Sequence, residues 1–116
     1  IVHMGDIYFN FGSLPFVDVD SGGSVDGILA AVNDVINQID DNTKVIPGHG
    51  KVSDRSGLIA YGKLVQNAKD VMLKAMQNNA SLEQVLKADP LAELNLEYAG
   101  WLPKEKVTTL FYRSLN

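Results

Sequence analysis

Lys44-Val45-Ile46-Pro47-Gly48-His49-Gly50 reads as a short buried strand, Lys44 to Ile46, closed by a loop that holds a histidine between two glycines. Proline stiffens the chain ahead of the ring, while the glycines let the backbone bend and remove bulk on both sides. An imidazole presented at a strand end in this way is open to a group approaching from outside the sheet, which favours a ligand over a histidine tied to a carbonyl in a tight turn. Upstream, His3-Met4-Gly5-Asp6 delivers an aspartate by a glycine inside the strand pattern of residues 1–9. Carboxylate oxygen and imidazole nitrogen are donors for the same cations, so Asp6 and His49 are the candidate metal ligands. Taken alone, Asp6 reads equally well as a strand-end aspartate accepting backbone N–H groups. His3 lies three positions before Asp6; in an unbroken strand the two point to opposite faces, which gives His3 a packing or supporting role.

Outward from these strands the period changes. Phe9 to Phe16 reads as a turn with Gly12, Ser13 and Pro15, and Val17-Asp18-Val19-Asp20 as a second short strand. Val25, Ile28, Leu29, Val32, Val35, Ile36 and Ile39 then fall on one face of a helix capped by Ser24. Strand, helix, strand is an α/β rhythm. A second helix is expected over about residues 54–78, capped by Ser53 or Asp54, with Leu58, Tyr61, Val65, Ala68, Met72, Ala75 and Met76 as its stripe. A third starts at Ser81 with Gln84 completing a capping box and stops at Pro90. Residues 91–98 show no decisive period. Pro103 sits well in the first turn of a last helix that buries Val107, Leu110, Phe111 and Leu115. The 116 residues suit one domain, with strands, first helix and ligand loops in residues 1–50 and a helical remainder in 51–116.

A net charge of -4 and a pI near 4.9 argue against nucleic acid, whose binding needs clustered cations. No window is apolar for long enough to cross a bilayer, so a soluble protein is expected, with the compartment open between cytoplasm and periplasm. Without cysteine there is neither a disulfide framework nor a thiolate metal site, and any metal rests on His and carboxylate donors. Ile1-Val2-His3 enters a strand pattern with no initiator methionine or signal-like segment, from which we expect a portion of a longer protein.

Two further groups bear on a site. Asp18 and Asp20 share one face of the expected second strand and lead into Ser21-Gly22-Gly23-Ser24 at a helix start. Free N–H groups there suit an anion, yet the two carboxylates suit an extra cation or a loop that complements the helix dipole equally well. A calcium loop is disfavoured because Leu29 stands where its late glutamate belongs. Tyr8, Phe9, Phe11 and Phe16 read either as the mouth of a substrate pocket or as core.

The runs 3–10, 15–24 and 44–50, with their Gly5-Asp6 and Gly48-His49 steps, resemble the C-terminal half of a metallo-β-lactamase-fold hydrolase, more narrowly the zinc-dependent hydrolases with glyoxalase II and cyclase names. The resemblance covers about residues 1–78. It implies a four-layer αββα sandwich of which this chain is one half, with an α/β (α+β) sheet packed by helices. It also implies that Asp6 bridges two zinc ions and that His49 completes the second site; the candidates to support these ligands or line a pocket beside them are His3, Tyr8, Asp18, Asp20, Ser21, Gly48 and Gly50. In such enzymes the zincs make hydroxide available to attack an ester, thioester or amide carbonyl of a small-molecule substrate. No H-x-H-x-D-H segment is present, and His3 and His49 are the only histidines, so most of the metal shell is missing.

Three functions are therefore open. One is a fragment of a zinc-dependent hydrolase, inactive without an N-terminal half. Another is a non-catalytic module whose open sheet edge is covered by a second copy of itself. A third, an anion- or nucleotide-binding domain using Gly22-Gly23-Ser24, is weakest because no phosphate-loop fingerprint follows a strand.

Overall fold

A computed structural model describes residues 1–10 and 14–116. The expectations placed on Phe11, Gly12 and Ser13 lie outside these residues. Among them the fold is α+β, with a two-stranded parallel sheet and four α-helices. Strand β1 is Val2–Asn10 and β2 is Val45–Gly50, joined through helix α1, Val25–Gln38. Helices α2 (Arg55–Ala75), α3 (Leu82–Ala88) and α4 (Lys104–Leu115) follow. The periodic stripes land in the core: Val25, Leu29 and Val32 of α1, Leu58, Tyr61, Val65, Ala68 and Met72 of α2, and Val107, Leu110 and Phe111 of α4 are all buried. Tyr8 and Phe9 of β1 are also core residues, each 1% exposed.

The helix starts follow hydrogen-bonding chemistry. Ser24 accepts from the Gly27 N–H, Asp54 rather than Ser53 accepts from the Gly57 N–H, and Ser81 and Gln84 form the reciprocal capping box. Helix α2 stops at Ala75, three residues before the expected end, and Asn78 and Asn79 turn the chain with positive φ. Pro103 caps α4 from one position outside its first turn. Residues 90–94 form a 3₁₀ turn.

Two expectations about strands are corrected. Residues 17–20 are not a strand: Val19–Ser21 is a 3₁₀ turn, started by the Asp18 carboxylate accepting from the Ser21 N–H and closed by the Gly23 N–H donating to the Asp18 carbonyl at 2.7 Å. A side chain that bonds its own backbone two or three residues on outcompetes a ladder with no partner strand beside it. Nor does β2 stop at Ile46. It continues through Pro47 to Gly50, so His49 is a strand residue, and the chain then turns back to pair Ser53 with Val45.

Register explains where the site lies. Gly5 pairs with Pro47 and Phe9 with His49, so Asp6, Ile7 and Tyr8 of β1 span the same stretch as Gly48 alone. The excess is a bulge in β1, and Met4 is a further extra residue between His3 and Gly5. Gly5 begins the bulge with φ +59°, a left-handed conformation that glycine adopts without strain.

Candidate functional site

The bulge brings the Asp6 carboxylate to the His49 ring. Oδ1 lies 3.4 Å from Nε2, and the side chains are 75% and 38% exposed, so the pair stands open at the surface. Parity along an unbroken strand would not have placed Asp6, because the bulge resets which way β1 side chains point. Gly48 is required by this approach. A Cβ there would sit 2.3 Å from Asp6 Oδ1 and 2.6 Å from both the carbonyl carbon and oxygen of Gly5. Gly50 ends the ladder opposite Asn10, whose side-chain amide donates to the Lys51 carbonyl at 2.7 Å.

The 3.4 Å separation is longer than an ordinary N–H···O hydrogen bond, 2.7–3.2 Å. It matches two donors on one cation: ligands about 2.05 Å from a tetrahedral zinc stand roughly 3.3–3.4 Å apart. By donor chemistry and spacing the pair fits a zinc ion. It does not complete a site, since no group of three or more His, Cys, Asp and Glu gathers among the described residues.

The remaining candidates separate. His3 is exposed, and its Nδ1 accepts from the Gly5 N–H at 3.0 Å, so it braces the start of the bulge instead of packing in the core. Tyr8 is buried and donates to Ser53 Oγ at 2.7 Å, which ties β1 to the turn after β2; burial raises its hydroxyl pKa. Asp20 turns away to Arg113 at 2.5 Å, and that bond holds its carboxyl below the usual range. Ser21 donates its N–H to Asp18 within the 3₁₀ turn. Asp18 does join Asp6: both line a cavity of about 230 Å³ with Ile7, Phe16, Ser24 and Ile28. A larger groove of about 390 Å³ runs between α1 and α2, with Lys63 as its one ionisable lining group among the described residues.

An aromatic wall stands beside the pair. The His49 ring centroid is 4.5 Å from that of Phe9 and 5.5 Å from that of Trp101, and Trp101 lies 6.3 Å from Phe16. Lys106 Nζ is 5.5 Å from the other partner of this wall, the Phe16 ring. Trp101 was not among the sequence candidates. Its signal was weak: the one tryptophan of the chain, between Gly100 and Leu102 in a segment with no period.

Compared with models of known protein families, with curated proteins and with solved structures, the chain matches none.

Proposed function

We propose that this chain is one half of a metallo-β-lactamase-like zinc-dependent hydrolase, in which Asp6 and His49 supply part of a metal site completed by donors from an N-terminal half. The observation that carries the reading is the 3.4 Å spacing of Asp6 Oδ1 and His49 Nε2 on an open surface, wide for a hydrogen bond and right for a shared cation. Zinc held there would supply an activated hydroxide and a Lewis acid for an ester, thioester or amide carbonyl. The residues of this chain have narrower tasks. Asp6 and His49 hold the cation, Gly48 keeps β2 thin enough for the carboxylate to cross it, and the cavity beside Asp6 gives an apolar group of the substrate a place out of water. A catalytic zinc takes about three protein ligands and one open position, so two donors alone bind weakly and do not hydrolyse.

Zinc titration of the purified chain by calorimetry tests this. The expected result is weak binding, far below the ~10–16 kcal/mol of closed structural sites, and abolished by either Asp6→Asn or His49→Ala. Binding that survives both substitutions would overturn the reading, as would tight binding by the isolated chain.

A second reading, a non-catalytic module that associates with its own copy, draws on one observation. Among the described residues β1 has a single strand partner, β2, and an unpaired strand edge is a template for another chain. Light scattering across a concentration series separates the two: a dimer that persists when Asp6 and His49 are both replaced favours assembly.

A further inference from the structure

A histidine can serve beside Asp6 only while its ring is held at one angle, and the backbone around His49 gives little help. Gly48 precedes it and Gly50 follows. Ligating imidazoles are normally oriented by a hydrogen bond from the second ring nitrogen. Among the described residues His49 Nδ1 makes no such bond; the one polar contact of the ring is Nε2 to Asp6. Its orientation must come from packing. Phe9, buried in the core, supplies one contact, with ring planes 46° apart. Trp101 supplies the other, at 39°.

Trp101 is an odd residue for a packing role alone, because 52% of it is exposed. Its neighbours fix it from below. Leu102 is 1% exposed and donates its N–H to the Ala99 carbonyl at 2.9 Å, and Pro103 then caps α4. Phe16 backs the indole at 6.3 Å. The segment thus spends a buried leucine and a helix start on presenting a half-exposed indole to His49. Building on the reading of Asp6 and His49 as ligands, we infer that Trp101 is a positioning residue that holds the His49 imidazole toward Asp6. The C-terminal helical segment is thereby part of the site.

Two measurements test the inference on the intact chain. Without metal, three-bond NMR couplings across the His49 Cα–Cβ bond report one rotamer or an average; a His3→Gln variant separates the two histidines. A single rotamer is expected in the parent and in Trp101→Phe, and rotamer averaging in Trp101→Ala and Trp101→Leu. In the second, zinc affinity falls about 3- to 10-fold in Trp101→Ala and Trp101→Leu, and less than about 2-fold in Trp101→Phe, the scale of one ring contact. Trp101→Leu keeps apolar bulk, so its agreement with Trp101→Ala excludes a mere packing loss. A single rotamer and unchanged zinc affinity in both variants would overturn the inference. Should the parent bind no zinc while the couplings respond as stated, the positioning role stands and the metal reading falls.

Discussion

Replacing Gly48 by alanine puts the close crossing of the two strands to the test. The added Cβ would meet Asp6 Oδ1 at 2.3 Å and the Gly5 carbonyl carbon and oxygen at 2.6 Å, where real Cβ contacts stay beyond 3.0 Å. The carboxylate can swing aside to relieve the shortest contact. Gly5 cannot, because it is backbone and is itself paired with Pro47 of β2. Relief therefore requires β1 and β2 to separate by about half an ångström, a distortion of a close-packed interior worth roughly 1–3 kcal/mol. For a domain of this size that lowers Tm by roughly 4–15 °C. Urea denaturation read by circular dichroism gives the energy. Gly100→Ala is the control, since nothing lies within 4 Å of its Cβ and its change should stay within ~0.5 kcal/mol. Zinc affinity of Gly48→Ala should fall as well, because the carboxylate leaves the position 3.4 Å from His49. A Gly48→Ala protein as stable as Gly100→Ala would show that the strands do not cross so closely, and the geometry of the proposed site would fail with it.

Further outcomes follow from other contacts. Gly5→Ala meets no atom within 4 Å but must keep φ +59°, so it should cost about 1–2 kcal/mol of stability by denaturant melt, a purely backbone effect. Tyr61 is buried and donates to the Ile7 carbonyl at 2.6 Å, inside the bulge where no ladder partner faces it, and burial pushes its hydroxyl pKa well above the usual phenol range. Tyr61→Phe leaves that carbonyl unpaired and should cost about 1–3 kcal/mol in the same measurement. Asp20 has its pKa depressed by the hydrogen bond to Arg113, so its contribution is present above the ordinary aspartate range and is lost as pH falls through that range and below it. Asp20→Asn should flatten that part of the acid limb in a series of thermal melts; an unchanged limb would mean that the exposed pair adds nothing.

Helix starts and apolar stripes were legible because each is fixed by residues within a few positions. Ser24, Asp54 and the Ser81–Gln84 box announce where helices begin, and the stripe from Leu58 to Met72 announces which face is buried. The misplaced strand at residues 17–20 shows the limit of alternation: Val17 and Val19 alternate with Asp18 and Asp20, but strand pairing is decided by a partner that the sequence does not name. The site divided in the same way. Asp6 and His49 stood out as candidates because Gly5 precedes the one and Gly48 and Gly50 flank the other. Their meeting depends on a bulge, which local pattern cannot reveal because it is a mismatch between two strands, not a property of either. Trp101 escaped because it arrives from the far end of the chain through tertiary packing alone.

One physical circumstance links the glycines, the bulge and the aromatic wall. Parallel strands with matched register would carry Asp6 and His49 along without aiming them at each other, since pairing fixes side chains perpendicular to the sheet. Extra residues in β1, one between His3 and Gly5 and two more between Gly5 and Phe9, break that rule, and breaking it exposes backbone that must be satisfied elsewhere. Tyr61 takes the Ile7 carbonyl, His3 takes the Gly5 N–H, and Tyr8 fastens the strand to Ser53. These bonds tie the bulge to α2, to the start of β1 itself and to the turn after β2, and hold a conformation that pairing alone would erase. A bulge supported in this way, with a carboxylate carried on it and no steric room for anything but glycine opposite, is more costly than a plain two-stranded ladder. Removing the supports should therefore disturb the Asp6–His49 spacing before it unfolds the helices. In Tyr61→Phe, backbone hydrogen exchange should rise first at residues 5–8, while α2 and α4 keep their protection; uniform loss of protection across the chain would refute this order.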